Sequence, residues 1–114
     1  MRRGEIWLIN LDPTIGAEIR KTRPTVIVSD DTVGRLPLKV IVPVTEWKDR
    51  YAFVPWLVKL DPTEKNGLNK TSAADAFQVR SVAQERFVSQ LGIVSDDDMQ
   101  KIMRALAIVL RISS

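Results

Sequence analysis

The spacing of apolar residues changes near residue 95, and this change constrains the fold of the chain more than any other feature. Upstream, apolar residues form short runs separated by turn-forming residues, which is typical of β-strands. Downstream, apolar residues recur at intervals of three and four, which is typical of one face of an α-helix. These downstream residues are Met99, Ile102, Met103, Leu106 and Leu110. The sequence therefore predicts a mainly β fold with one C-terminal helix.

Six short runs are predicted strands, at residues 5–9, 24–28, 38–45, 51–60, 76–82 and 86–93. The third run is nearly all apolar, so we expect it at the centre of the sheet. Pro43 interrupts this run and predicts a bulge or a sheet edge there. Residues 12–22 are polar and irregular, which predicts a loop of about ten residues. Together these elements predict a small antiparallel barrel or curled sheet.

The start of the helix has the residues of an N-terminal cap. Ser95 is a good N-cap, and Asp98 three residues later makes a variant of the capping box. The acidic residues 96–98 favour the positive end of the helix. A metal cluster is the alternative explanation of these acids. We expect the helix to continue to about Ile112 and to pack on the sheet within one domain over residues 1–114.

Composition excludes several kinds of site. The 114 residues include no cysteine and no histidine, which excludes disulfides, thiolate zinc sites and imidazole catalysis. Any metal would be a hard ion held by oxygen ligands. No apolar run approaches the roughly 18 residues of a membrane span, and an acid at Glu5 interrupts any signal peptide. We therefore expect a cytoplasmic protein without membrane contact, and its net charge of +3 is compatible with a polyanionic partner.

Six motifs follow one another along the chain: RGEIW (3–7), DPT (12–14), GAE (16–18), KTRPTVIVS (21–29), VPVT (42–45) and TSAADAFQVRSV (71–82). Each motif alone is weak, but the ordered set covers nearly the whole chain. In this order and spacing the sequence resembles the MazF/PemK toxin family. Members of this family are ribosome-independent endoribonucleases of toxin–antitoxin systems.

The resemblance implies a fold, an activity and partners. It implies an SH3-like barrel that forms a homodimer and binds a cognate antitoxin, with operator DNA contacted only through that antitoxin. It implies cleavage of single-stranded RNA without a metal or another cofactor. The products would carry a 2′,3′-cyclic phosphate and a 5′-hydroxyl.

The resemblance also implies which residues form the site. The arginine of the Arg-Pro motif is Arg23 and the threonine that ends the third strand is Thr45, and in the family these two positions carry catalysis. The loop acid matches Glu18, and the Gln-x-Arg pair matches Gln78 and Arg80. Some family members use a histidine or an Arg-x-Asp aspartate. This chain has no histidine, and its Asp75 lies in a different local context.

The chemistry of RNA cleavage fits these residue types. A guanidinium such as that of Arg23 matches two phosphoryl oxygens and binds more strongly as charge develops on them. The hydroxyl of Thr45 can hold the same phosphate. The general base is open: Glu18 can accept the 2′ proton, whereas an arginine base is difficult because its pKa stays above about 12.

Other candidates concern RNA binding. Arg20 and Lys21 either contact backbone phosphates or are solvated loop charges. Trp47 is the best candidate for base stacking. Ser72 is a turn or cap residue with a possible phosphate contact. The period of two would place Gln78 and Arg80 on one face of the fifth strand, where they contact RNA or satisfy buried backbone.

The wide apolar stripe of the helix predicts a homodimer that uses this helix and the third strand. The basic site predicts an antitoxin with an acidic or amphipathic tail. Two other functions remain open at this point. One is a CcdB-like toxin that inhibits DNA gyrase without catalysis, and the other is an RNA-binding module without chemistry.

Overall fold

The computed structural model describes residues 1–113, in which seven strands precede one α-helix. The strands are β1 (Glu5–Asn10), β2 (Thr22–Ile27), β3 (Leu38–Glu46), β4 (Leu57–Leu60), β5 (Ser72–Asp75), β6 (Arg80–Ala83) and β7 (Phe87–Ile93). The helix is α1 (Asp96–Leu110), and short 3₁₀ turns occupy Asp49–Phe53, Ala76–Gln78 and Gln84–Arg86. A mainly β fold with one C-terminal helix is therefore confirmed.

All strand pairs are antiparallel, in the order β4-β5-β3-β2-β1-β7, with β6 also paired to β3. The central position predicted for β3 is confirmed, because it pairs with β2, β5 and β6. Within residues 1–113, the outermost strands β4 and β7 do not pair with each other. The predicted barrel is therefore an open, curled sheet.

Pro43 does not interrupt β3, but it lies where one edge of that strand changes partner. Strand β6 pairs with β3 up to Ile41, and β5 begins to pair with β3 at Val44. A proline has no N–H to donate to a neighbouring strand, so it is tolerated in this short gap between the β6 and β5 pairings. Of the two predicted alternatives, a bulge is wrong, and a sheet edge is present only as this short unpaired gap on the side of β3 that faces β5 and β6.

The sheet has a buried cluster on each face. We call the side covered by α1 the helix face; its core includes Val26, Val42 and Ala74, packed with Ile102 and Leu106 of the helix. We call the opposite side the loop face. Its smaller core consists of Ile9, Leu11, Ile27, Ile41 and Val82, with Trp7, Ile19 and Phe87 packed against it. Ile19 belongs to the loop over residues 11–21, so this loop covers part of the second core.

Two predicted strands are wrong in part. The run 51–60 is strand only from Leu57, because Pro55 cannot donate to a ladder and the chain before it forms a 3₁₀ turn. The run 76–82 is strand only from Arg80, and β5 (Ser72–Asp75) before it was not among the predicted strands. The side chain of Asp75 accepts a hydrogen bond from the Phe77 amide at 3.1 Å, which stabilises a turn in place of a continuous strand.

The predicted helix cap is confirmed. The Ser95 hydroxyl oxygen accepts a hydrogen bond from the Asp98 amide at 3.0 Å. The helix ends at Leu110 rather than near Ile112, because Arg111 takes the left-handed conformation (φ 56°) and the Ile112 amide donates back to the Ala107 carbonyl at 2.9 Å. No helix in the described part of the chain is long and apolar enough to cross a membrane.

Candidate active site

Gln78 fastens the 11–21 loop to the loop face of the sheet. Its side-chain oxygen accepts a hydrogen bond from the Ile19 amide at 2.6 Å, and its side-chain nitrogen donates to the Ala17 carbonyl at 3.2 Å. The side chain therefore satisfies one donor and one acceptor of the loop backbone. This bidentate contact fixes where the loop lies above the sheet.

Two arginines hold the beginning of the same loop. Arg80 donates from Nη1 to the Leu11 carbonyl at 3.2 Å. Arg86 donates from Nη1 to the Asn10 carbonyl at 3.2 Å and also to the Asp12 carbonyl. Sequence reasoning missed Arg86, since nothing local distinguishes it from a solvated surface arginine.

A cleft of about 320 Å³ lies between this loop and the sheet. Its walls are formed by Leu11, Ala17, Glu18, Ile19, Pro43, Phe77, Gln78, Val79 and Arg80. Three predicted site residues, Glu18, Gln78 and Arg80, therefore meet here. The prediction that Gln78 and Arg80 share one strand is wrong, because Gln78 ends a 3₁₀ turn and Arg80 begins β6.

Arg23 lies within β2 and faces the side of the sheet that carries the loop. It pairs with Ile9, whose side chain belongs to the loop-face core, and paired residues share a face. Its Nε donates to the Arg20 carbonyl at 3.1 Å. Among residues 1–113 it forms no ion pair with a carboxylate. Its positive charge is therefore not neutralised within the described protein and is free to meet an anion.

Thr45 lies on the same face of the neighbouring strand β3. The pairing of β2 with β3 ends at Thr25 and Pro43, and Arg23 and Thr45 each lie two residues beyond this last pair. Side chains two residues apart in a strand share a face, so both project from the loop face. Both side chains are half-buried. Since Pro43 also lines the cleft, Arg23 and Thr45 lie beside that cleft on the same face.

Glu18 is exposed on the wall of the cleft. One of its carboxylate oxygens accepts a hydrogen bond from the Ile15 amide at 2.7 Å, and its own amide donates to the Ile15 carbonyl at 3.2 Å. These contacts hold the side chain to its own loop. The second carboxylate oxygen makes no hydrogen bond within residues 1–113.

Asp75 is a further acid on the same face that sequence reasoning did not select. It lies two residues after Ala73, which pairs with Thr45, so the alternation of the strand puts Asp75 on the loop face. Burial raises the pKa of its carboxyl, against the hydrogen bonds from the Phe77 and Gln78 amides that lower it. A half-buried carboxyl beside the cleft is thus easier to protonate than an ordinary aspartate.

The remaining predicted residues separate into two groups. Arg20 and Lys21 are exposed at the end of the loop before β2, and Trp47 follows Thr45 by two residues. Ser72 stands apart: it is 5% exposed, it pairs with Leu60 of the helix-face core, and its hydroxyl donates to the Lys70 carbonyl at 2.8 Å. The structure therefore does not bring Ser72 to the surface that carries the other candidates.

Comparisons with known proteins agree with this architecture. The endoribonuclease MazF9 of Mycobacterium tuberculosis (strain ATCC 25618 / H37Rv) is 39% identical in an alignment of 114 positions that covers 96% of each chain. The structure of MazF (Form-I) from Deinococcus radiodurans has a TM-score of 0.80 at 23% identity, covering 98% of this chain and 97% of that one. An endoribonuclease in complex with its cognate antitoxin from a Mycobacterial species has a TM-score of 0.78 at 22% identity, covering 100% and 98%.

The profile of the PemK-like, MazF-like toxins of type II toxin–antitoxin systems matches residues 2–110. This match and the MazF9 relative each extend over nearly the whole chain. The chain therefore belongs to the PemK-like, MazF-like toxin family.

Proposed function

We propose that this protein is a sequence-specific, ribosome-independent endoribonuclease that cleaves single-stranded RNA and acts as the toxin of a type II toxin–antitoxin system. The observation that carries the proposal is that Arg23 and Thr45 lie on the loop face of neighbouring strands, beside the cleft. The name of the MazF9 relative, an endoribonuclease, supports the same activity. The CcdB-like alternative is not favoured, because the family match and the relative are both of the MazF type.

The residues support cleavage by the RNA's own 2′-hydroxyl. The 2′-oxygen loses its proton and attacks the adjacent phosphorus in line, while the bond to the 5′-oxygen breaks and that oxygen gains a proton. The products are a 2′,3′-cyclic phosphate and a 5′-hydroxyl. Arg23 stabilises the negative charge that builds on the phosphoryl oxygens, and the Thr45 hydroxyl donates to one of them.

Glu18 is our candidate for the base that accepts the 2′ proton. It lines the cleft, and one carboxylate oxygen is not occupied by the loop amide of Ile15. A base must come within hydrogen-bond distance of the proton that it removes. The loop that carries Glu18 supplies this approach only while Gln78 and Arg80 hold it in place.

Exposed cations and one aromatic ring extend the site along the RNA. We assign backbone phosphates to Arg20 and Lys21, since phosphate contacts supply most of the affinity for a nucleic acid. We assign base stacking to Trp47, because every base offers a π-face. Ser72, buried on the other face, is assigned to the structure of β5.

The test is cleavage of labelled RNA in the presence of EDTA, followed by mapping of both ends. Arg23→Ala should lower the cleavage rate about 10²–10³-fold, the usual cost of one lost electrostatic donor. Thr45→Ala should slow cleavage more than Thr45→Ser, which keeps the hydroxyl. Lys101→Ala is the matched control, because that lysine pairs with Asp97 on α1 at 3.3 Å.

A folded Arg23→Ala protein that cuts RNA at the wild-type rate would refute the assignment of Arg23. Equal activity of the two Thr45 variants would make Thr45 only a strand residue. Inhibition of gyrase by a wild type that cuts no RNA would instead support the CcdB-like function.

We also propose that a cognate antitoxin with an acidic or amphipathic tail occupies this basic site, and that operator DNA is reached only through that antitoxin. Solved relatives in complex with an antitoxin support a partner of this kind.

The expected location of the protein is the cytoplasm, where mRNA is available. We take the whole chain (1–114) as one toxin domain.

A homodimer is the last part of the proposal. Apolar side chains near the end of α1 stay exposed, including Leu110 at 55%, and the exposed Phe77 and Trp56 lie beside them. Patches of this kind usually mark an interface. We expect α1 and β3 to contribute to the dimer interface. Leu110→Glu should therefore give monomers in light scattering and a lower rate of RNA cleavage. A monomeric and fully active wild type at micromolar concentration would exclude the dimer.

A further inference from the structure

Two cations and two aromatic rings form a cluster just beyond the end of β3. The Nζ atom of Lys59 lies 5.5 Å from the centroid of the Trp47 ring, and the guanidinium carbon of Arg50 lies 5.5 Å from the centroid of the Tyr51 ring. The two rings meet edge to face, with centroids 5.8 Å apart. We call Trp47, Arg50, Tyr51 and Lys59 the cation–aromatic cluster.

The cluster adjoins the catalytic candidate Thr45. Both Thr45 and Lys59 pair with Ala73, so the three residues form one row across β3, β5 and β4. Two strand spacings separate the Cα atoms of Thr45 and Lys59 by about 10 Å. Residues of one row share a face, so Lys59 and Thr45 both project from the loop face. Ala73 between them carries only a methyl group and is fully buried by its neighbours.

The charges of the cluster are not balanced by acids of this protein. Within residues 1–113, neither Lys59 nor Arg50 forms an ion pair, whereas Lys70 pairs with Glu46 at 3.5 Å. Lys59 and Arg50 are exposed and rest on ring faces, which orient a cation without neutralising it. Such cations remain able to bind an external anion.

We propose that the cation–aromatic cluster is an RNA subsite next to the cleaved bond. Lys59 and Arg50 contact phosphates that flank the scissile phosphate, and the rings of Trp47 and Tyr51 stack an unpaired base. Single-stranded RNA alternates phosphates and bases, and the cluster alternates cations and rings in the same way. A purely acidic peptide would bind the cations and leave the rings without a stacking partner, whereas single-stranded RNA supplies a partner for both. This inference rests on the proposed RNA cleavage and extends the site beyond Arg23 and Thr45.

The test compares two labelled RNAs with wild-type protein and with Lys59→Met. One RNA extends several nucleotides on both sides of the mapped cleavage site, and the other is truncated to the scissile dinucleotide. The wild type should prefer the long RNA in kcat/KM, and Lys59→Met should reduce that preference several-fold, as should Arg50→Met. Each lost phosphate contact should also lower the slope of log affinity against log salt by about 0.7. Lys101→Met, which removes an equal charge from α1, is the matched control.

The possible outcomes distinguish the proposed RNA cleavage from the proposed subsite. A wild type that cleaves neither RNA refutes the proposed function itself. A cleaving wild type whose long-RNA preference and salt slope are the same in Lys59→Met and Lys101→Met refutes the subsite alone. An equal loss on both RNAs also refutes it, because damage to the fold or to the chemistry affects both substrates alike. Loss of antitoxin affinity with unchanged RNA binding would make the cluster a protein contact and overturn the inference.

Discussion

Replacement of Gln78 by alanine should loosen the loop that covers the cleft. The native side chain makes two hydrogen bonds to loop backbone, at 2.6 Å with the Ile19 amide and at 3.2 Å with the Ala17 carbonyl. At about 1 kcal/mol net for each bond, the free energy of opening the loop should fall by about 2 kcal/mol. This corresponds to an opening equilibrium about 30-fold more favourable.

Hydrogen exchange at the Ile19 amide measures this change directly, because that amide loses its acceptor. We expect exchange about 30-fold faster in Gln78→Ala, together with a lower kcat/KM for RNA, since the opened loop carries Glu18 away from the cleft. Gln78→Met keeps the bulk and loses both hydrogen bonds, so it should behave like alanine. Gln90→Ala is the matched control, because that amide donates within its own strand, to the Gly92 carbonyl.

Unchanged exchange at Ile19 in Gln78→Ala would refute the role of Gln78 as a loop clamp. If exchange stays the same while the cleavage motif changes, Gln78 reads an RNA base, as one of the sequence-based interpretations holds. The two roles are thus separated by one variant and two measurements.

Two further predictions concern stability, each followed by urea unfolding. Gly67→Ala should destabilise the fold far more than Gly16→Ala. Both glycines have positive φ (68° and 59°), but a Cβ at Gly67 would overlap the Leu91 carbonyl, whereas nothing lies within 4 Å of a Cβ at Gly16. Backbone strain alone should cost about 1 kcal/mol at Gly16, and equal losses of stability in the two variants would contradict this prediction. Because burial raises the pKa of Asp75, the stability that its protonated form contributes is present in acid and lost as pH rises through the folded-state pKa. Asp75→Asn keeps the acceptor for the Phe77 amide and carries no charge. The free energy of unfolding of this variant, relative to that of the wild type, should therefore increase as pH rises through the folded-state pKa of Asp75. A difference between the two proteins that does not depend on pH would refute this prediction.

Local signals predicted most of the fold. The run 38–45 became β3 with one added residue, and the run 86–93 became β7 with one residue fewer. The Ser95 cap was predictable because donor and acceptor lie three residues apart. The strand prediction failed at 51–56 and at 76–78, although the β-propensity of the neighbouring residues favours strands there. At 51–56 Pro55 cannot pair in a strand, and at 76–78 the side chain of Asp75 stabilises a 3₁₀ turn.

The sequence predicted three residues that line one cleft, but it did not predict their contacts. The ordered motifs selected Glu18, Gln78 and Arg80, which the fold brings to one cleft. The hydrogen bonds of Gln78 and Arg80 to the loop join residues 59 and 69 positions apart, and no local pattern encodes such a pair. Lys59 was not predicted for the same reason. Only the pairing of β5 with both β3 and β4 places Lys59 in one row with Ala73 and Thr45.

The register of the sheet connects the core to the candidate site. In β2, Val26 is buried on the helix face while Arg23 faces the loop, and in β3 Val44 is buried on the helix face while Thr45 faces the loop. A slip of one residue would send every side chain of a strand to the opposite face. Burial of the valines under α1 therefore holds Arg23 and Thr45 on the loop face. The residues that stabilise the fold thus also position the guanidinium and the hydroxyl to which we assign the scissile phosphate.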